Sequence, residues 1–164
     1  MSDDTKQAAG VPVVFHYTVG NKLEAILESG ELRPTGAHID TGERPVVWFT
    51  KCPEWDNTAN KSVGTRDGEI VHLDRAGTHL LAGGLVRFLV PEQAAPHDWR
   101  AFVRKSGVSK QTARRLAEVA RKRGVDPADW RVSFEPVPMA EWARIEAWDE
   151  TSGTWIPHPG IVRA

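Results

Sequence analysis

The chain has 164 residues, of which 40% are hydrophobic and 26% charged, and its formal net charge is −1. These values are typical of a globular protein, and so small a net charge indicates no particular charged partner. The single cysteine, Cys52, excludes an internal disulfide and favours a cytoplasmic location. No stretch approaches the roughly 18 apolar residues of a membrane span, so no membrane partner is expected. Residues 1–10 are predicted to be a disordered leader, and residues 11–164 to form a single domain.

The first predicted element is a strand, because residues 13–15 are β-branched and aromatic. A helix follows, with Asn21 and Glu24 at the spacing of a capping box and Gly30 at the place of a left-handed cap. The apolar face of this helix consists of Leu23, Ile26 and Leu27. His16 is therefore expected at a strand end beside the start of a helix, which is a place for polar chemistry.

Further strands are predicted over residues 45–50, 69–73, 85–90, 130–136, 141–148 and 154–157. One helix between them is predicted to be capped by Asp98, and a second to be capped by Ser109 and to stop at Gly124. Strands at both ends of the chain, without βαβ alternation, favour the α+β class. We expect a twisted, mostly antiparallel sheet with a basic helical insertion over residues 96–124.

Sequence motifs for metal and phosphate binding are missing. No pair among the six histidines and Cys52 has the spacing of a zinc site, so no metal is expected. His72 and His79 are the nearest to such a pair, if both lie in one hairpin. The chain also lacks a GxxxxGK phosphate loop, a GxGxxG fingerprint and a GxSxG elbow.

Three segments carry polar and aromatic residues of the kinds that binding sites use. The first is His16-Tyr17-Thr18. The second is the aromatic strand VVWFT at 46–50, with a polar turn after it that contains Trp55, Asn57, Thr58 and Asn60. The third is the late strand, in which alternation predicts Glu146 on one face with Trp142 and Trp148.

This combination resembles the ADP-ribosyltransferase fold of the histidine–aromatic–glutamate type, most of all its small bacterial DNA-targeting and rifamycin-modifying members. The similarity covers residues 13–61 well, where LEAILESGELRP and Trp48-Phe49-Thr50 match the family pattern, and residues 130–150 loosely. It implies an ADP-ribosyltransferase-like fold that uses NAD as a substrate and no metal. The implied reaction transfers ADP-ribose to an unidentified acceptor, with nucleic acid favoured and a protein or a small molecule as alternatives.

The resemblance also implies roles for individual residues. Glu146 would be the catalytic acid, with Glu135 and Glu141 as alternatives, because a carboxylate stabilises the cation that develops on the ribose. The implied NAD-binding residues are His16, Tyr17, Thr18, Trp48, Thr50, Trp55 and Asn60. A neutral histidine can hydrogen-bond a ribose hydroxyl, and an aromatic ring can stack on nicotinamide. Structural roles remain as alternatives: a packed His16, a core Trp48, and a Glu146 paired with an arginine.

The helical insertion is strongly basic, with nine Lys or Arg residues and one acid, Glu118, between Arg100 and Arg123. Residues 107–116 look similar to the turn and recognition helix of a helix-turn-helix protein. Possible nucleic-acid contacts are Lys110, Gln111, Arg114 and Arg115. A solvated surface, a patch that holds an anionic substrate and a sequence-reading module all stay open. Two other functions therefore compete with the enzyme: a nucleic-acid-binding module using residues 98–123, and a catalytically inactive nucleotide-binding protein.

Overall fold

A computed structural model describes residues 11–36, 39, 40 and 42–162. The strands are β1 Val13–Val19, β2 Glu31–Leu32, β3 Val47–Thr50, β4 Ser62–Gly64, β5 Ile70–His72, β6 Leu85–Pro91, β7 His97–Asp98, β8 Trp130–Ser133, β9 Val137–Pro138, β10 Arg144–Asp149 and β11 Thr154–Val162. The helices are α1 Gly20–Ser29, α2 Arg75–Leu81, α3 Trp99–Lys105 and α4 Lys110–Lys122. The predicted leader, residues 1–10, lies outside the described residues. Within the described ranges, no helix has the length and apolar character needed to cross a membrane.

Seven strands form the main sheet in the order β11-β10-β6-β1-β3-β8-β7, and all neighbours are antiparallel. This arrangement confirms the α+β class and the mostly antiparallel sheet. The central strand, β1, pairs with β6 along its whole length. Its other neighbour, β3, is in register at one pair only, Phe15 with Thr50, so β1 and β3 separate beyond that pair.

The two faces of the sheet carry different residues from the same strands. The register places His16, Phe88 and Ile145 on one face, and Tyr17, Arg87 and Glu146 on the other. The first face is covered by α1, which packs Leu23, Ile26 and Leu27 against the buried core. The second face is covered by an aromatic cluster that includes Tyr17, Trp55, Trp148 and Trp155. These clusters bury the hydrophobic side chains whose removal from water stabilises the fold.

The predicted capping box at the start of α1 is wrong. The helix begins at Gly20, and Val19 at the N-cap position makes no side-chain cap bond. The first amides are satisfied by backbone instead: Gly20 N–H donates to Gly84 O at 2.9 Å and Asn21 N–H to Ala82 O at 3.0 Å. A Cβ at position 20 would lie 1.9 Å from Gly83 O, so only glycine permits this approach.

Three other predicted helix caps are confirmed. Gly30 closes α1 at φ 69°, and its N–H donates to carbonyls of the last turn. Asp98 accepts the Ala101 N–H at the start of α3, and Ser109 accepts the Thr112 N–H at the start of α4. Each predicted strand also overlaps a strand of the structure.

The short helix α2 was not predicted, because its Leu80 and Leu81 are 79% and 59% exposed and form no buried stripe. His72 and His79 therefore do not share a hairpin, since His72 belongs to β5 and His79 to α2. The shared face of Trp142 and Glu146 is also wrong. β10 begins only at Arg144, after a 3₁₀ turn, and Trp142 packs in the core with Phe88 on the opposite face.

Candidate active site

A cavity of about 700 Å³ opens where β1 and β3 separate. Its walls come from β1, α1, β3, the turn after β3, and α4. α1 contributes a stripe at helical spacing: Lys22, Ala25, Ile26 and Ser29. The volume lies within the range of small-molecule and cofactor sites, and the polar and charged side chains of the lining make this cavity the candidate site.

His16 lies at the point where the two strands separate and lines the cavity. Its Nδ1 is 2.8 Å from the carbonyl oxygen of Trp48. Because a carbonyl oxygen only accepts, Nδ1 carries the proton and Nε2 is left as an acceptor. Burial, aided by the positive charges of Lys61 and Lys22, lowers the pKa of His16 from 6.5 to about 4. The imidazole is therefore neutral at pH 7.

Cationic side chains line the same cavity as this neutral histidine. Lys22, Lys61, Arg33 and Arg123 all line the cavity, and Arg33 is paired with Glu31 at 2.7 Å. In the part of the chain that the structure describes, no carboxylate lies within salt-bridge distance of Lys22, Lys61 or Arg123. Burial and the charge of Lys22 both lower the pKa of Lys61. Mutually repelling ammonium groups without a carboxylate favour an anionic ligand.

Asp56 is a buried carboxylate in the cavity lining. Its Oδ2 accepts from Trp130 Nε1 at 2.9 Å, and its Oδ1 accepts from the Thr58 N–H at 2.8 Å and from the Thr58 hydroxyl. The same carboxylate caps the 3₁₀ turn Asn57–Ala59. Donors from β8 and from this turn therefore fix both oxygens.

The helix α4 presents three different faces. Its alanines Ala113, Ala117 and Ala120 are buried. Leu116, Val119 and Arg123 line the cavity. The exposed face carries Lys110, Gln111, Arg114, Arg115, Arg121 and Lys122. Asn57 Nδ2 donates to Arg123 O at 3.1 Å and ties the end of α4 to the turn after β3, so the basic face lies next to the cavity wall.

Glu146 is not among the cavity-lining residues. Its side chain is 5% exposed, and its Oε2 accepts from Arg87 Nε at 2.6 Å while its Oε1 pairs with Arg144 at 2.9 Å. The alternative acids Glu135 and Glu141 are exposed and also lie outside the lining. The carboxylates that line the cavity are Glu31 and Asp56.

The structure brings together five of the seven residues predicted to bind NAD: His16, Tyr17, Thr18, Trp48 and Thr50. The ring of Trp48 also packs against Phe102 and Trp130, with centroids 4.7 and 5.4 Å apart. Trp55 and Asn60 lie outside the lining, where Trp55 Nε1 donates to Asn60 Oδ1 at 2.9 Å. These two side chains stabilise the turn instead of reaching the cavity.

Sequence reasoning missed Lys22, Lys61, Asp56 and Arg123. The sequence does contain a signal for Lys22. Ala25, Ile26 and Ser29 follow it at spacings of three, four and seven residues, which place side chains on one side of a helix. Arg123 stands likewise in a stripe with Leu116 and Val119. Asp56 gives no such signal, since its burial depends on Trp130, which is remote in sequence.

The chain matches no protein-family model, no curated protein sequence and no solved structure. Within the described ranges, no group of three or more His, Cys, Asp or Glu side chains is arranged to hold a metal ion. The candidate site is therefore defined by the geometry of this chain alone.

Proposed function

We propose that the chain binds NAD in the cavity beside His16 and transfers ADP-ribose from it to an acceptor, on an ADP-ribosyltransferase-like fold. The observation that carries the proposal is a neutral histidine with one acceptor nitrogen in a cavity lined by unpaired lysines. The histidine acceptor suits a ribose hydroxyl, and the lysines suit a diphosphate. The ring of Trp48 offers a surface for nicotinamide.

The proposed reaction breaks the bond between ribose C1′ and the nicotinamide nitrogen, and nicotinamide leaves with the bonding electrons. A positive charge then develops on the ribose, which a nearby carboxylate stabilises. We assign this task to Asp56, the buried carboxylate of the lining. The acceptor forms the new bond to C1′ and releases its proton to water. The catalytic role of Glu146 stays a prediction, and two arginines hold its carboxylate.

Binding without turnover is the second candidate function. The placement of Glu146 favours it, because the acid implied by the family resemblance lies outside the cavity lining. In that case the protein keeps the nucleotide site and lacks the acid of the transferase.

Nucleic acid is the acceptor that we propose, carried by the exposed basic face of α4. Among the described residues, none of the five cations on this face is in a salt bridge: Lys110, Arg114, Arg115, Arg121 and Lys122. The face therefore offers unneutralised charge to a phosphodiester backbone beside the cavity wall. α4 packs on the turns at Asn57–Ala59 and Pro127–Asp129. A helix-turn-helix unit would have a third helix after α4, and here the strand β8 follows instead. Charge rather than base reading is thus the proposed mode of binding.

Calorimetry with NAD, together with an assay for nicotinamide release, tests the proposal. We expect the wild type to bind NAD, Lys61→Met to weaken binding, and Asp56→Asn to release nicotinamide at least about tenfold more slowly. Lys51→Met is the matched control, because Lys51 pairs with Glu92 away from the cavity. Binding without any release favours the second candidate. No binding at millimolar NAD rejects both.

Fluorescence anisotropy with a labelled oligonucleotide tests the acceptor. We expect affinity to fall with rising salt, and the triple variant Lys110→Gln, Arg114→Gln, Arg121→Gln to reduce the slope of log K against log salt by about two to three. Glu118→Gln, on the same face, is the control and should strengthen binding slightly. A slope that is equal in the wild type and the triple variant contradicts the proposed nucleic-acid contact.

A further inference from the structure

Three successive backbone carbonyls after β3 each accept a hydrogen bond from the side chain of a different strand. Tyr17 Oη of β1 donates to Cys52 O at 2.6 Å. Arg87 Nη1 of β6 donates to Pro53 O, and Trp155 Nε1 of β11 donates to Glu54 O at 3.2 Å. We call residues 52–54 with these three donors the carbonyl clamp.

Glu146 fixes the central donor of the carbonyl clamp. Its Oε2 accepts from Arg87 Nε at 2.6 Å, and the side chains of Arg87 and Glu146 are only 11% and 5% exposed. Arg87 also lies between aromatic rings, 4.9 Å from the centroid of Phe15 and 4.6 Å from that of Trp155. A guanidinium held by a buried carboxylate and two rings has little freedom to leave Pro53 O.

The clamped segment leads directly into the cavity wall. Trp55 follows it and packs against Tyr17 with ring centroids 4.9 Å apart. Asp56, Thr58 and Lys61 come next, and all three line the cavity. The position of these side chains therefore depends on residues 52–54, which are held from the face of the sheet opposite to His16.

We propose that Glu146 is a positioning residue, which acts through Arg87 and the carbonyl clamp to hold Asp56 and Lys61 in place for the cavity's ligand. Its effect on NAD rests on the function proposed above. The effect on the turn does not, since the clamp exists without ligand. When the cavity wall is already ordered, ligand binding does not have to offset the free-energy cost of ordering that wall.

Hydrogen exchange of the ligand-free protein tests the clamp itself. The N–H groups of Thr58, Ala59 and Asn60 bond within the 3₁₀ turn after Asp56, so their exchange reports local opening of this segment. The double variant Arg87→Met, Glu146→Leu replaces a buried ion pair by apolar groups, a change that is often neutral or stabilising in proteins. We expect exchange at the three amides to rise about threefold to tenfold, the effect of one lost hydrogen bond, with core amides of β6 unchanged.

Two further variants keep this test decisive. Trp155→Phe, on β11 and outside the cavity lining, removes the donor to Glu54 O but keeps an aromatic ring, and it should raise exchange at the same amides. Arg144→Met removes the partner of Glu146 that is 48% exposed and does not touch the clamp, so it should change nothing. Unchanged exchange at the turn in both the double variant and Trp155→Phe overturns the proposal.

Glu146→Gln separates positioning from catalysis. A positioning role predicts an NAD dissociation constant about threefold to tenfold higher, with nicotinamide release at saturating NAD retained. A catalytic role predicts the reverse, unchanged affinity with lost release, and that result overturns the proposal. If the wild type binds no NAD, the proposed function fails alone and the exchange measurement decides on the clamp.

Discussion

The imidazole of His16 bridges β1 and β3 beyond their single registered pair, because its Nδ1 donates to Trp48 O at 2.8 Å. A side chain thus links the strands at the place where they separate. The same ring lines the cavity that this separation creates. His16 is consequently a structural residue and a candidate binding residue at once, and the two interpretations of the sequence are compatible.

The neutral state of His16 predicts a pH-dependent stability. Its pKa is about 4 in the folded protein and 6.5 in the unfolded chain, so the unfolded chain binds more protons between these values. The free energy of unfolding should therefore fall by about 3 kcal/mol in total as the pH drops from above 6.5 to below 4. Urea unfolding of wild type and His16→Gln at several pH values measures this term.

The matched control for that measurement is His72→Asn, in the exposed hairpin of β4 and β5. Burial and neighbouring cations also lower the pKa of His97. Protonation of His97 therefore lowers the free energy of unfolding at low pH in every variant alike. The wild type should thus lose more stability at low pH than His16→Gln does. Parallel pH profiles for wild type and His16→Gln would contradict a neutral buried His16.

Lys61→Met should raise stability and lower affinity together. The charge of Lys22 repels that of Lys61, and burial also disfavours its charged form. Removing the charge should stabilise the fold by a few tenths of a kcal/mol, because water screens much of the repulsion between partly exposed groups. NAD binding should weaken about tenfold through loss of a charge-assisted contact. Thermal unfolding and calorimetry measure both effects, and a loss of stability would contradict the expected repulsion.

Gly20→Ala should destabilise the protein although alanine favours helices. A Cβ at this position meets Gly83 O at 1.9 Å, and neither backbone can move without breaking the bond from Gly20 N–H to Gly84 O. We expect a loss of about 2–4 kcal/mol in urea unfolding. Gly36→Ala is the control, since a Cβ added at this position would meet no atom within 4 Å. Equal unfolding midpoints for the two variants would disprove the close approach.

Ala117→Leu should displace α4 from the body of the protein. Ala117 is buried on the close-packed face of the helix, and a larger side chain there costs about 1–3 kcal/mol. NAD affinity should also fall, because Leu116 and Val119 on the same helix line the cavity. Glu118→Leu, one residue along on the exposed face, is the control. An affinity that survives in Ala117→Leu would show that α4 is not needed as a wall.

Local signals in the sequence predicted much of the fold. Gly30, Asp98 and Ser109 act within one helical turn, and each lies where its residue type requires. The prediction for the start of α1 failed for a physical reason. The first amides of this helix donate to the carbonyls of Ala82 and Gly84, which are distant in sequence and carry no side-chain signature.

The residues of the candidate site also fall into a group that local features predict and a group that depends on distant contacts. Residues on the two strands, such as His16 and Trp48, could be predicted because alternation and strand ends are local features. Asp56 and Lys61 could not, since their places depend on contacts with Trp130 and on the carbonyl clamp. Glu146 shows the limit of residue type as a guide. A buried carboxylate on a late strand fits a catalytic acid and an ion-pair partner equally well, and the sequence does not reveal that Arg87 contacts it.

The central position of β1 has a consequence for synthesis on the ribosome. The strand is translated before its full-length partner β6, and the wall helix α4 follows after both. A nascent chain that has reached β6 can pair its central strands while α4 is still absent, so the cavity remains open on one side. Contacts of such long range form slowly and leave hydrophobic edges exposed meanwhile. If the cavity binds a nucleotide as proposed, binding must wait until α4 has emerged and completed the wall.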